Sequence, residues 1–204
     1  MIQAALPLDW PPDDEDDRFI VTPSNAAAVR HLERPATWPV AATLLVGPRK
    51  SGRSQLGRIF ARRSGGRMID DAERRDERTL FNAWNEAQST RLPLLMIADA
   101  APPLWAIDLP DLASRLGATP VVTLGTPDEA LIGPLLTRLL ARRGVPLAPE
   151  VAAYLSPRAP RSHAAVIALA DALDAASLAS RRPITVPLAR SVLGLAIDDD
   201  GTGE

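Results

Sequence analysis

The stretch Thr43-Leu44-Leu45-Val46-Gly47-Pro48-Arg49-Lys50-Ser51-Gly52-Arg53-Ser54 constrains this chain more than any other. An apolar run reads as a buried strand, a glycine-flanked loop follows, and a helix-forming segment begins at Ser54. The spacing is that of the phosphate-binding loop GxxxxGK[ST], with Arg53 where the lysine stands. Such a loop works because backbone N–H groups and a helix N-terminus converge on an anion. The lysine adds a compact charge for the β/γ-phosphates. Arginine keeps the charge in a larger, planar, differently hydrated group, so the exchange is not conservative.

The rest of the sequence reads as alternating strands and helices, then helices alone. A helix is expected over residues 26–32 with Ser24 as its cap, and others over 54–63, 77–88 and 109–116. Strands are expected at 43–46, 67–69, 93–98 and 121–124, the first and the last two as buried strands. Alternation of this kind predicts a parallel sheet with helices on both faces. From residue 128 only helical patterns remain, at 128–143, 149–155, 162–180 and 186–195, with Gly144 as a stop. Residues 1–18 read as an extended tail with an acidic run at Asp13 to Asp17.

Composition narrows the function classes. With 23 basic and 25 acidic residues the net charge is −2, so no global attraction to nucleic acid exists. Absence of cysteine rules out disulfides and thiolate metal sites, and His31 and His163 have no ligand-spaced partners. No membrane span and no secretory leader is expected, which makes the cytoplasm the expected location. The tryptophans outside the helix at 77–88 sit beside prolines or in loops and read as local packing.

The finer motifs resemble a known family. A phosphate-loop α/β domain with a helical appendix resembles the AAA+ class. Within it, the chain resembles the ATPase domain of the replication initiator DnaA, and more closely the DnaA-homologous Hda regulators, over residues 3–196. Phe19-Ile20-Val21 with Pro23-Ser24-Asn25 matches the segment that lies against the base in that family. Met68-Ile69-Asp70-Asp71 matches the Walker B strand, and residues 79–85 the helix after it. Residues 97–103, ending in Pro102-Pro103, match the sensor 1 strand and its turn. Leu109-Pro110-Asp111-Leu112-Ala113-Ser114-Arg115-Leu116 matches the segment carrying an arginine finger. Gln3-Ala4-Ala5-Leu6-Pro7-Leu8 resembles the motif with which Hda proteins grip the β sliding clamp.

The resemblance implies an α/β AAA+ core at 19–126, with about four parallel strands and one edge strand lost. A helical lid at 127–196 and a polar tail at 197–204 follow. It also implies a set of sites. Ile20, Val21, Gly47, Pro48, Ser51, Gly52, Arg53, Ser54 and Gln55 would meet ADP or ATP. Asp70 and Asp71, with Ser54, would hold Mg²⁺, although Asp71-Ala72 can equally cap the next helix. Asp99 takes the sensor 1 position, or is a turn former before the prolines. Arg115 would act in trans on a neighbour's nucleotide, or pair with Asp111 on the surface. Gln3, Leu6, Pro7 and Leu8 would bind the clamp, or the leucines pack on the domain. The sensor 2 arginine falls at Ala164 or Ala165, and neither can touch a phosphate. With Arg53, that argues against an efficient ATPase. The implied role is negative regulation of replication initiation, by stimulating hydrolysis of DnaA-bound ATP. Weak or absent nucleotide binding, and a degenerate adaptor joining the clamp to another partner, are the alternative. DNA would be met only through the clamp, no membrane is involved, and a homo-oligomer is compatible.

Overall fold

The computed structural model describes residues 18–199, with side chains to residue 194. Two compact units divide the described chain between Gly125 and Thr126. The clamp motif from Gln3 to Leu8 lies outside the described residues.

The first unit is an α/β core. Its helices are α1 (Ala26–Leu32), α2 (Arg53–Ser64), α3 (Glu77–Thr90) and α4 (Pro110–Gly117). Its strands are β1 (Ala42–Val46), β2 (Arg67–Ile69), β3 (Leu94–Ala98) and β4 (Val121–Thr123). They form one four-stranded sheet in the order β2-β3-β1-β4, every pairing parallel. β1 and β3 are buried along their whole length, as a two-faced parallel sheet requires.

Alternation along the strands sorts their side chains between the two faces. Leu45, Leu95 and Ile97 face α1 and α2, where they pack with Val29, Leu32, Leu56 and Phe60. Leu44, Leu94 and Met96 face α3 and α4, against Leu80, Trp84, Leu112 and Leu116. Gly57 lets α2 lie close on the sheet, because a Cβ there would meet Met68 Sδ at 2.5 Å and Ile97 Cδ1 at 2.6 Å. Trp38 is buried between His31 and Phe60, stacked on both, and so serves packing.

Three local expectations are corrected. β4 is not a buried strand: among the described residues it pairs only with β1, and Val121 is 46% exposed. Apolar composition does not distinguish an edge from a centre. α1 begins after Asn25 rather than Ser24, and Asn25 turns its side chain backward. Its Oδ1 accepts from Thr22 N at 2.9 Å and its Nδ2 donates to Ile20 O at 2.9 Å, tying down the segment that leads into α1. Asp71 starts a short 3₁₀ turn in the left-handed region (φ 50°) with no side-chain cap. The cap of α3 is Asp76, which accepts from Thr79 N at 2.9 Å.

The second unit is the helical lid: α5 (Glu129–Ala141), α6 (Pro149–Leu155), α7 (His163–Ser180) and α8 (Val186–Asp199). Ile132, Leu136, Leu140, Leu155, Val166, Leu169 and Leu173 form its core. Asp128 caps α5 through Leu131 N at 2.8 Å. Gly144 ends the following turn at φ 75°, a conformation that favours glycine. Contrary to the expectation that no segment has the length and apolarity of a membrane span, α7 is long and apolar enough for one, with mean hydropathy 1.3. Its Val166, Leu169, Ala170 and Leu173 are instead buried in the lid core.

Candidate functional site

The glycine-rich loop sits at the C-terminal end of β1, where open parallel sheets present their ligand groups. Gly47 leaves the strand, and any Cβ there would meet Leu124 O at 2.6 Å. That glycine is therefore required by packing against the chain after β4, whatever the loop binds. Lys50 (φ 64°) and Gly52 (φ 89°) take left-handed conformations that turn the backbone into α2. Phe19 covers the turn, since a Cβ on Gly52 would meet its ring at 3.0 Å. Ile20 and Val21 follow directly, and Val21 packs on the α1–α2 side of the sheet. The structure thus brings Ile20, Val21, Gly47, Pro48, Ser51, Gly52, Arg53, Ser54 and Gln55 to one end of the unit. Ser51 Oγ is buried there without a hydrogen-bond partner.

The arginine at the lysine position does not extend freely from the loop. Arg53 is 9% exposed. Its guanidinium donates to the Ala98 carbonyl at the end of β3 and to Asp99 Oδ1. Arg49, also in the loop, donates from Nε to Asp99 Oδ2 at 3.0 Å. Both carboxylate oxygens of Asp99 are therefore held by arginines of the glycine-rich loop. The hydrogen bond from Arg53, then that from Arg49, hold the Asp99 carboxyl below its ordinary range. The bond to Asp99 likewise raises the Arg49 guanidinium.

Glu73 closes the cluster, accepting from Asp99 N at 3.3 Å, with its Oε2 buried and unpartnered. Arg49 and Glu73 were not legible as site residues. Arg49 could have been suspected as a second cation in the loop, whereas nothing in the sequence singles out Glu73.

Asp70 and Asp71 follow β2 as expected. Asp70 Oδ1 accepts from Asp71 N at 3.1 Å, and its carbonyl accepts from Arg75 Nε at 3.1 Å. Among the described residues no three His, Asp or Glu side chains gather as a metal site. A magnesium ion would need oxygens from a phosphate in addition to Ser54, Asp70 and Asp71. The loop backbone and buried Ser51 hydroxyl fit an anion, and the cation at position 53 is already engaged.

Arg115 lies apart from this cluster, on α4. Its guanidinium carbon sits 4.7 Å from the Phe81 ring centroid and 4.8 Å from that of Trp84. Its Nε is buried without a hydrogen-bond partner. One stripe of α3 holds α4 along its length. At one end, the Glu77 carboxylate accepts from Asp108 N at 2.9 Å and Leu109 N at 2.6 Å. At the other, Trp84 Nε1 donates to Thr119 Oγ1 at 3.0 Å, which donates to the Arg115 carbonyl at 2.8 Å. Positions 77, 81 and 84 share one helix face.

Residues 134–193, most of the second unit, match the family model described as the Hda lid domain. Domain III of the replication initiation protein DnaA from Thermotoga maritima superposes with a TM-score of 0.69, at 15% identity over 90% of this chain and 98% of that one. Its lid is therefore Hda-like, and the chain has the fold of DnaA domain III.

The same fold is shared more widely. AMPPCP-bound DnaA from Aquifex aeolicus superposes at TM-score 0.56, with 17% identity, over 74% of this chain and 61% of that one. The Holliday junction branch migration motor RuvB of Thermotoga maritima gives TM-score 0.58, with 15% identity, over 83% of this chain and 66% of that one. An uncharacterized protein of Haemophilus influenzae is 31% identical over 120 residues, 58% of this chain and 52% of the relative. The chain thus aligns with about half the length of that curated relative.

Proposed function

We propose that this Hda-like protein is a negative regulator of replication initiation. It docks on the β sliding clamp through Gln3, Leu6, Pro7 and Leu8. It then presents Arg115 to ATP held by DnaA, and hydrolysis returns the initiator to its ADP form. The observation that carries this role is the state of Arg115. Its guanidinium is ordered on two aromatic rings, carries an unused Nε donor, and sits on a helix anchored at both ends. A finger is effective when little reorganisation is needed to place its charge beside a transferred phosphoryl group. The Hda-type lid supports the same role. The work of such a regulator is done in the cytoplasm, with DNA reached through the clamp.

The chain is not an efficient ATPase in this scheme. Its own site takes ADP or ATP weakly if at all, with magnesium supplied alongside the phosphates. AMPPCP-bound DnaA shares the fold, which supports keeping nucleotide as a ligand class. A second role, an adaptor between the clamp and another partner without nucleotide chemistry, is favoured by one observation: Arg53 is engaged by Asp99.

The deciding experiment combines this protein, clamp loaded on DNA and ATP-bound DnaA, and follows phosphate release. The regulator predicts stimulation that disappears with Arg115→Ala and survives alteration of Arg53. Clamp binding without stimulation establishes the adaptor instead.

A further inference from the structure

The phosphate loop of this chain already holds an anion, and that anion is part of the chain: the Asp99 carboxylate, 39% exposed, set against the buried Arg53. A buried guanidinium is tolerated only when its charge is matched and its donors are used. Arg53 meets both conditions internally, through the Ala98 carbonyl and the Asp99 carboxylate. Arg49 takes the second carboxylate oxygen, so the pair is bridged from both ends of the loop. Arg–carboxylate and Arg–phosphate contacts use the same donors in the same geometry, so one guanidinium cannot serve both fully. At this motif position the cation belongs to the β/γ-phosphates. A carboxylate fixed beside it also repels an incoming phosphate.

We infer that Asp99 is an internal occupant of the phosphate site, a specificity-determining residue that holds Arg53 and excludes nucleoside di- and triphosphates from the resting fold. Asp99 is then neither a turn former nor a residue poised on an attacking water. It competes with the ligand for the one buried cation of the loop. Nucleotide enters only by displacing it, and the affinity of the site is set by that exchange. Glu73 supports the arrangement from the other side, by accepting from the Asp99 backbone. The inference concerns the isolated chain and holds whether or not Arg115 acts on DnaA.

Binding of fluorescent ADP, ATP and AMP to the full chain tests it. The wild type should bind all three weakly. Asp99→Asn keeps the size of the side chain and removes its charge. It should tighten ADP and ATP by about tenfold, the scale of losing a charged competitor that is itself 39% exposed to solvent. AMP, which has no β-phosphate, should gain little. Glu73→Gln removes a nearby negative charge without releasing Arg53 and should give no comparable gain. Circular dichroism and a parallel Asp99→Ser variant guard against a folding effect. The inference is overturned if wild type and Asp99→Asn bind ADP equally, or if Glu73→Gln gains as much as Asp99→Asn.

Discussion

Arg115 and Trp84 face each other across α3 and α4, with the guanidinium carbon 4.8 Å from the indole ring centroid. Phe81, one turn earlier on α3, supplies a second ring at 4.7 Å. The pair is tied again through Thr119, which receives the indole N–H and donates to the Arg115 carbonyl. The same guanidinium that would act on a partner thus contributes to the fold of its own domain.

Arg115→Ala should therefore cost stability as well as activity. Loss of the two ring contacts is expected to lower unfolding free energy by about 0.5–2 kcal/mol, measured by urea titration. The variant should remain folded, so abolished stimulation of DnaA would be a loss of the guanidinium itself. An unchanged urea midpoint would show that the ring contacts contribute nothing in solution.

Leu6→Ala with Leu8→Ala should weaken binding to the clamp by at least about tenfold, because a short extended motif concentrates its energy in a few apolar anchors. The urea midpoint should not move. Equal clamp affinity for variant and wild type, by surface plasmon resonance, would remove the tail from the docking site.

His31 should make stability depend on pH near neutrality. Thr43 Oγ1 uses its one hydrogen on Pro120 O at 3.0 Å, so at 2.8 Å it must accept from His31 Nε2, which fixes the tautomer. Burial lowers the His31 pKa below 6.5. The unfolded chain then binds the proton first, so stability is full above 6.5 and falls as pH drops toward the lower folded value. His31→Phe keeps the stacking on Trp38 and removes the titration. Its stability should be flatter than that of the wild type below pH 6.5, read from urea midpoints.

Gly47→Ala should destabilise by about 1–3 kcal/mol, the range for forcing an atom into a packed position. The obstruction is the Leu124 carbonyl at 2.6 Å, a backbone atom that cannot rotate away. Thermal unfolding with and without ADP separates the two roles of this glycine. The loss should be the same in both.

Much of the core was legible because its signals are local. Residues 43–54 announce a strand, a loop and a helix by spacing alone, and β1 and α2 lie there. Continuous apolar runs marked β1 and β3, whose both faces are covered. β4 misled for the same reason: Val121 and Val122 look like centre-strand residues, yet only one neighbour pairs with them. The Arg53–Asp99 contact was illegible because the partners lie 46 apart, joined only when β1 and β3 pair. The loop and Asp99 were each visible, but their mutual neutralisation is a property of the folded sheet.

The outermost strands of that sheet, β2 and β4, are each three residues long. An outer strand exposes unpaired amide and carbonyl groups that another chain can extend, the starting point of swapped dimers and fibrils. At β2 the backbone turns away at once, through Asp71 with its positive φ. Past β4, the Leu124 N–H continues the pairing with β1 through the Val46 carbonyl, and the next N–H, of Gly125, is taken by the Ser24 carbonyl. Among the described residues the sheet has four strands, and both its rims are too short to offer another chain a long template.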